Sequence, residues 1–113
     1  MYLTNRIWGV LSRLLLLSTC FLAFTTSAEV IEVAQKDKKF TKTTIEIKKG
    51  DTVRFVNSDP FFHNVFSLSD IKLFDLGSFP QGEHRDVVFD TVGKAQVECA
   101  LHPSMILDIT VTE

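Results

Sequence analysis

From Glu29 to the end of the chain no stretch carries a sustained helical stripe with caps, and the apolar residues recur instead with period two. Val30, Ile31 and Val33 stand among Glu29, Glu32 and Gln35, and Ile45 and Ile47 are spaced by Glu46 and Lys48. In Thr52–Asn57 the pattern resumes. Such alternation belongs to half-buried strands, whose successive side chains point to opposite faces. Further strands are expected near Val65–Leu68, Leu73–Leu76, Arg85–Asp90, Ala95–Cys99 and Ile106–Thr112. In the last of these Leu107, Ile109 and Val111 face inward. Lys49-Gly50-Asp51, Ser58-Asp59-Pro60, Gly77, Pro80 with Gly82, and Gly93 read as turns between them. Many short strands between Gly and Pro turns give an all-β chain, two packed sheets with Greek-key connections in a β-sandwich. Phe40, Phe55, Phe66, Phe74, Phe79 and Phe89 are the expected aromatic filling of its core.

The N-terminal stretch has a different grammar. Arg6 and Arg13 precede an uncharged apolar run from Leu14 to Phe24, and Thr26-Ser27-Ala28 supplies small residues after it. That is the order of a cleavable secretory signal, here residues 1–28, with the cut before Glu29. The run is shorter than the roughly 20 apolar residues of a membrane-spanning helix, so no stable membrane insertion is expected after cleavage. An uncleaved anchor, or a lipid on Cys20, is the other reading of this stretch. The expected home is the periplasm or the exterior.

Loss of Arg6 and Arg13 takes the formal net charge from −2 to −4 for residues 29–113. A mildly acidic domain lacks the clustered basic footprint that nucleic acid requires. Lys36, Lys38, Lys39 and Lys42 read as a solvated turn, with a patch for an acidic partner as the second reading. Of the two cysteines, Cys20 leaves with the signal and Cys99 stays. A single thiol in an oxidising compartment is either buried as a small hydrophobe or put to use.

Its neighbours favour use. Cys99-Ala100-Leu101-His102-Pro103-Ser104-Met105 sets a thiolate, an imidazole and a thioether at intervals of three on a loop between two strands. Thiolate and thioether favour copper, and two His, one Cys and a weak axial Met are the donors of a blue-copper centre. Structural zinc makes no use of Met, and haem attachment needs a C-x-x-C-H run that this sequence lacks. Cys–His hydrolysis would need a substrate cleft that so small a sandwich has little room for. So short a loop needs a further donor from elsewhere. His63 is the candidate, because it stands where a loop re-enters a strand, and loops distant in sequence gather at one end of a Greek-key sandwich. A plain surface histidine is the other reading of His63, and it is the reading adopted for His84. Pro103 lacks a backbone donor and stiffens the loop beside His102.

His63-Asn64-Val65, Lys49–Asn57 (KGDTVRFVN) and Cys99–Met105 (CALHPSM) together resemble the cupredoxins, in particular the amicyanin-like, methylamine-utilisation branch of the plastocyanin-like family. The C-x2-H-x2-M spacing is similar to the shortest loop class of that family. The resemblance implies one copper ion held by His63, Cys99, His102 and a long axial Met105. It implies shuttling of single electrons between Cu(II) and Cu(I), with no enzymatic activity. Asn64 would tie the His63 loop to the Cys99 loop. The edge of His102 would be the electron port within an apolar patch, for which Phe61, Phe62, Pro80 and Leu101 are candidates. The partners would be redox proteins, donor and acceptor, met by a monomer. A copper carrier that never turns over as a shuttle is the alternative, although Met105 is the one methionine left after processing, where a carrier would offer several labile ones.

Overall fold

The computed structural model describes residues 17–23 and 27–113, so most of the expected signal, residues 1–16 and 24–26, lies outside the described residues. Among the described residues nine strands follow in chain order: β1 (Val30–Lys36), β2 (Lys39–Phe40), β3 (Thr44–Lys48), β4 (Thr52–Asn57), β5 (His63–Ser69), β6 (Lys72–Phe79), β7 (His84–Val88), β8 (Gly93–Glu98) and β9 (Ile106–Thr112). One sheet has the order β2-β1-β4-β7 and the other β3-β9-β8-β5-β6. The expected all-β double sheet is what the chain forms. Among the described residues no helix is long and apolar enough to cross a membrane.

Both sheets are mixed. β1 runs parallel to β4 with Val33 beside Phe55, and β3 runs parallel to β9 with Ile47 beside Val111, while the remaining pairs are antiparallel. Parallel partners cannot be joined by a tight hairpin. The chain crosses between sheets at every step from β2 to β5 and again from β6 to β7 and from β7 to β8, which gathers connecting loops at the two ends of the sandwich.

Alternation decides what each strand sends inward. Val33, Phe55, Val65, Val97, Leu107, Ile109 and Val111 are buried, and together with Phe40, Phe79 and Phe89 they form one contiguous core. Phe74 packs against its margin. Phe66 departs from expectation: on β5 the inward positions belong to His63, Val65 and Ser67, so Phe66 points to the other face and is only half-buried. Period two leaves no choice here, since neighbouring residues cannot both face the core.

β6 also departs from expectation. Gly77 lies inside the strand and not in a turn after it, with φ of 69°. The pairing steps from Asn64↔Ser78 to Phe66↔Asp75, which leaves one extra residue on β6 and makes a bulge. Glycine, having no β-carbon, adopts this φ without strain, and the Gly77 amide donates to Asp75 Oδ1 at 2.9 Å. The bulge bends the sheet directly beside the start of β5, where His63 sits.

Candidate metal centre

β8 and β9 are antiparallel neighbours with Glu98 opposite Ile106, so the seven residues between them close one end of the sandwich. Cys99 continues the inward-facing row of Ala95 and Val97, and Met105 opens the inward row of Leu107, Ile109 and Val111. Both are about 1 % exposed. Between them the chain makes two successive turns, the His102 amide donating to the Cys99 carbonyl at 3.3 Å and the Met105 amide to the His102 carbonyl at 2.9 Å. Each turn returns the chain after three residues, and this gives the C-x2-H-x2-M spacing its structural meaning. Pro103 occupies the second position of the second turn, where a ring-fixed φ suits the backbone and no amide hydrogen is needed.

His63 is the first residue of β5 and is fully buried. Its Nδ1 lies 3.7 Å from Cys99 Sγ, and His102 Nδ1 lies 3.9 Å from the same sulfur. Ligating atoms of His63, Cys99 and His102 all fall within 4.8 Å of one another. The two imidazole rings meet edge to face at 4.9 Å between centroids, and Phe61 covers both, at 5.2 Å from His63 and 5.6 Å from His102. Two nitrogens and one sulfur converge at the end of the core, with the buried Met105 thioether on the same short loop. This set of borderline and soft donors suits copper. His102 alone among the four is half-buried, so its ring edge is the part of the cluster nearest to solvent. Burial, with smaller contributions from His63 and Lys38, lowers the His102 pKa and so favours the neutral imidazole that a metal needs.

Asn64 Oδ1 accepts the Ala100 amide at 2.7 Å, joining the start of β5 to the Cys99 loop. Phe62 and Leu101 are exposed at this end of the sandwich, Pro80 is half-buried, and Phe61, 36 % exposed, spends one face on the imidazoles. His84 is exposed at the start of β7, a surface residue as expected.

Two residues escaped the sequence reading, Asn57 because it read as the end of a strand and Asp59 because it read as the break after it. Asn57 is fully buried, and its Nδ2 donates to the carbonyls of Phe61 at 2.8 Å and Phe79 at 2.9 Å. Its Oδ1 accepts the Asp59 amide at 2.9 Å, so one side chain shapes the loop that delivers His63. Asp59 is 2 % exposed, and its Oδ2 lies 2.7 Å from His63 Nε2. Burial by itself works to raise the Asp59 pKa, but the hydrogen bonds from His63, Lys38 and Asp37 together hold it below the ordinary carboxylate value. Asp59 already accepts the Asp37 and Lys38 amides on its two oxygens, so it faces His63 Nε2 as an acceptor, while His63 Nδ1 is the nitrogen turned toward Cys99. The D-x3-H spacing was the one available sign.

Comparison with known proteins agrees with this geometry. Residues 27–112 match the family described as copper binding proteins, plastocyanin/azurin family. No curated protein sequence matches the chain. Among solved structures, amicyanin from Paracoccus versutus superposes with a TM-score of 0.67 at 25 % identity, covering 73 % of this chain and 80 % of that one. A purple cupredoxin from Nitrosopumilus maritimus gives 0.65 at 23 % identity, over 73 % of this chain and 99 % of its own length. A copper-containing nitrite reductase from Thermus scotoductus SA-01 gives 0.68 at 26 % identity over 74 % of this chain, which spans only 22 % of that much longer protein. A match running from Ser27 to Thr112, on a fold that brings imidazole and thiolate donors together, means that this chain is a cupredoxin of the plastocyanin/azurin family and that its cofactor is one copper ion.

Proposed function

We propose that the protein is an exported single-electron shuttle whose copper is held by His63, Cys99, His102 and Met105. When bound, the ion supplies the chemistry, alternating between Cu(II) and Cu(I). The chain supplies rigidity. His63 and Cys99 are anchored on inward rows of two paired strands, Met105 opens a third, and the two-turn loop fixes His102 between them. Donors held this way have little freedom to rearrange when the charge on the ion changes, which is what rapid electron exchange requires. Phe61 and the burial of three donors keep water away, while the His102 edge offers a short path to a partner through the apolar surroundings of Phe62 and Leu101.

The observation that carries this reading is the convergence of the His63, Cys99 and His102 donor atoms within 4.8 Å. A copper carrier would use the same donors. Burial of His63, Cys99 and Met105 at 1 % exposure or less favours a closed site, because a carrier must surrender its ion to a recipient. Protein titrated with Cu(II) should develop an intense visible thiolate-to-copper charge-transfer band and cycle reversibly at an electrode. Cys99→Ser should abolish the band, and His84→Ala should leave it unchanged. A colourless copper complex, or one that cannot be re-oxidised after reduction, would contradict the shuttle.

Export rests on the charged-then-apolar order of residues 1–28. One contact supports a cut before Glu29: the Glu29 nitrogen lies 2.9 Å from Asp51 Oδ1, so cleavage there would set a free ammonium against a nearly buried carboxylate. N-terminal sequencing of exported protein should begin at Glu29, and a start well beyond it would contradict this reading. Acting as a monomer toward redox protein partners belongs to the same proposal.

A further inference from the structure

One carboxylate at this end of the molecule receives three hydrogen bonds from two distant parts of the chain. Asp59 Oδ2 accepts from His63 Nε2 at 2.7 Å and from the Lys38 amide at 3.0 Å, and Oδ1 accepts the Asp37 amide at 2.7 Å. Asp37 and Lys38 are the two central residues of the β1–β2 hairpin, with φ of 54° and 58°. Positive φ at both positions is the twist a two-residue hairpin needs; Asp37 tolerates it, but Lys38 stands where glycine is preferred. The Asp59 carboxylate therefore holds a strained turn in place as well as an imidazole. The Lys38 Nζ lies 5.6 Å from the centroid of the Phe61 ring, the ring that covers both histidines.

Resting on the copper assignment above, we infer that Asp59 is a positioning residue for the metal imidazole, which fixes the proton of His63 on Nε2 and biases the site toward Cu(II). The geometric part of the argument is strict. A neutral imidazole whose Nε2 donates to a carboxylate presents Nδ1 as a lone pair, as a metal ligand must, and Nδ1 is the nitrogen 3.7 Å from Cys99 Sγ. The electrostatic part follows from charge. A buried anion in contact with a metal-binding ring raises the basicity of that ring and favours the more highly charged ion.

Asp59→Asn separates these effects from packing, since it changes charge and donor pattern at nearly constant shape. An amide group has one acceptor and one donor end. It can satisfy His63 only by presenting its donor to the Asp37 amide, or else by turning its donor on His63 Nε2 and forcing the ring proton to Nδ1. Cu(II) affinity should fall about tenfold, the lower end for loss of an outer partner of a metal ligand. With Cu(I) affinity less affected, the reduction potential should rise, by about 59 mV if the Cu(II) loss is tenfold and Cu(I) is unchanged. Adding Asp37→Asn and Lys38→Gly supplies the Asn-Gly pair that closes such a hairpin unaided. It should restore thermal stability and leave the raised potential in place.

The first measurement needs neither variant nor copper: nitrogen-15 NMR of the metal-free parent protein should find the His63 proton on Nε2. A ring with its proton on Nδ1 and none on Nε2 would overturn the inference. So would a parental potential in Asp59→Asn, or a potential that returns to the parental value when the Asn-Gly turn is added, because Asp59 would then act only through the hairpin. A parent protein without the thiolate-to-copper band would instead refute the copper assignment, while the metal-free spectrum still decides the role of Asp59.

Discussion

Met105 is both a buried core side chain and the proposed weak axial donor, and two substitutions should pull these roles apart. It is 1 % exposed and belongs to the same contiguous core as Val97, Leu107 and Ile109. Met105→Ala removes the sulfur and two carbons from a buried site. Transfer and cavity effects together cost about 2–5 kcal/mol for a substitution of this kind. Met105→Leu keeps the volume approximately and should cost less than about 1.5 kcal/mol. Each kcal/mol shifts Tm by roughly 4–8 °C in a domain of 60–100 residues. Metal-free Met105→Ala should therefore melt at least about 8 °C below the parent in a far-ultraviolet circular dichroism scan, with Met105→Leu close to the parent. Copper should change the ranking. Binding to the folded state adds about 2.7 kcal/mol when free ion stands at 100 times Kd, and both variants lack the sulfur that helps hold Cu(I). Their stabilisation by Cu(I) should thus shrink together, whatever their metal-free melting points. If metal-free Met105→Ala melts with the parent, the side chain is not packed as described. If Met105→Leu keeps the full Cu(I) stabilisation, the thioether is not a donor.

Asp51 predicts a pH dependence. Its Oδ1 accepts the Glu29 amide and its Oδ2 the Lys48 amide, both at 2.9 Å, and these two hydrogen bonds lower its pKa. A carboxyl whose folded pKa is depressed adds stability above its unfolded pKa of about 3.9. That stability is lost as pH falls through the folded value, so Asp51→Ala should be destabilised at pH 7 by about 1.5–3 kcal/mol, the range for hydrogen bonds to a charged group. The gap in urea midpoints should close in acid below pH ~4; a gap that persists there would contradict the assignment. At the start of β8, Gly93 has φ of 142°, and a β-carbon there would lie 2.8 Å from Ile71 Cγ2. Ile is stiff at χ1 and Ile71 packs on the core, so Gly93→Ala should cost about 1–3 kcal/mol in denaturant melts, and a neutral result would refute the close approach.

Much of the site was legible because its donors are local. Cys99, His102 and Met105 share one loop, and a three-residue spacing of metal-binding types is visible without any tertiary information. His63 could be reached because a histidine at a loop-to-strand junction stands out once a fourth donor is sought. Asn57 and Asp59 could not be read in the same way, since a polar cluster before proline has the composition of an ordinary turn. What distinguishes Asp59 is the Asp37 and Lys38 amides, 22 and 21 residues away in sequence, and what distinguishes Asn57 is the Phe79 carbonyl, 22 residues away. The fold divides similarly. Period two revealed strands and, for β9, the inward row, but the same alternation serves parallel and antiparallel pairing, so the parallel partners β1 with β4 and β3 with β9 were not readable from it. Gly77 was read as a turn for a related reason: a positive-φ residue looks alike in a turn and in a bulge. Only the register between β5 and β6 tells them apart.

The central claim is that an imidazole from β5 and a sulfur from the β8–β9 loop bind one ion, although 36 residues separate them. A crystal structure of the copper-loaded protein tests it most directly. It should find a single copper ion bound by His63 Nδ1, Cys99 Sγ and His102 Nδ1, with the Met105 sulfur as the next and more distant donor. Copper bound at any place that leaves His63 or Cys99 out of its coordination would contradict the account.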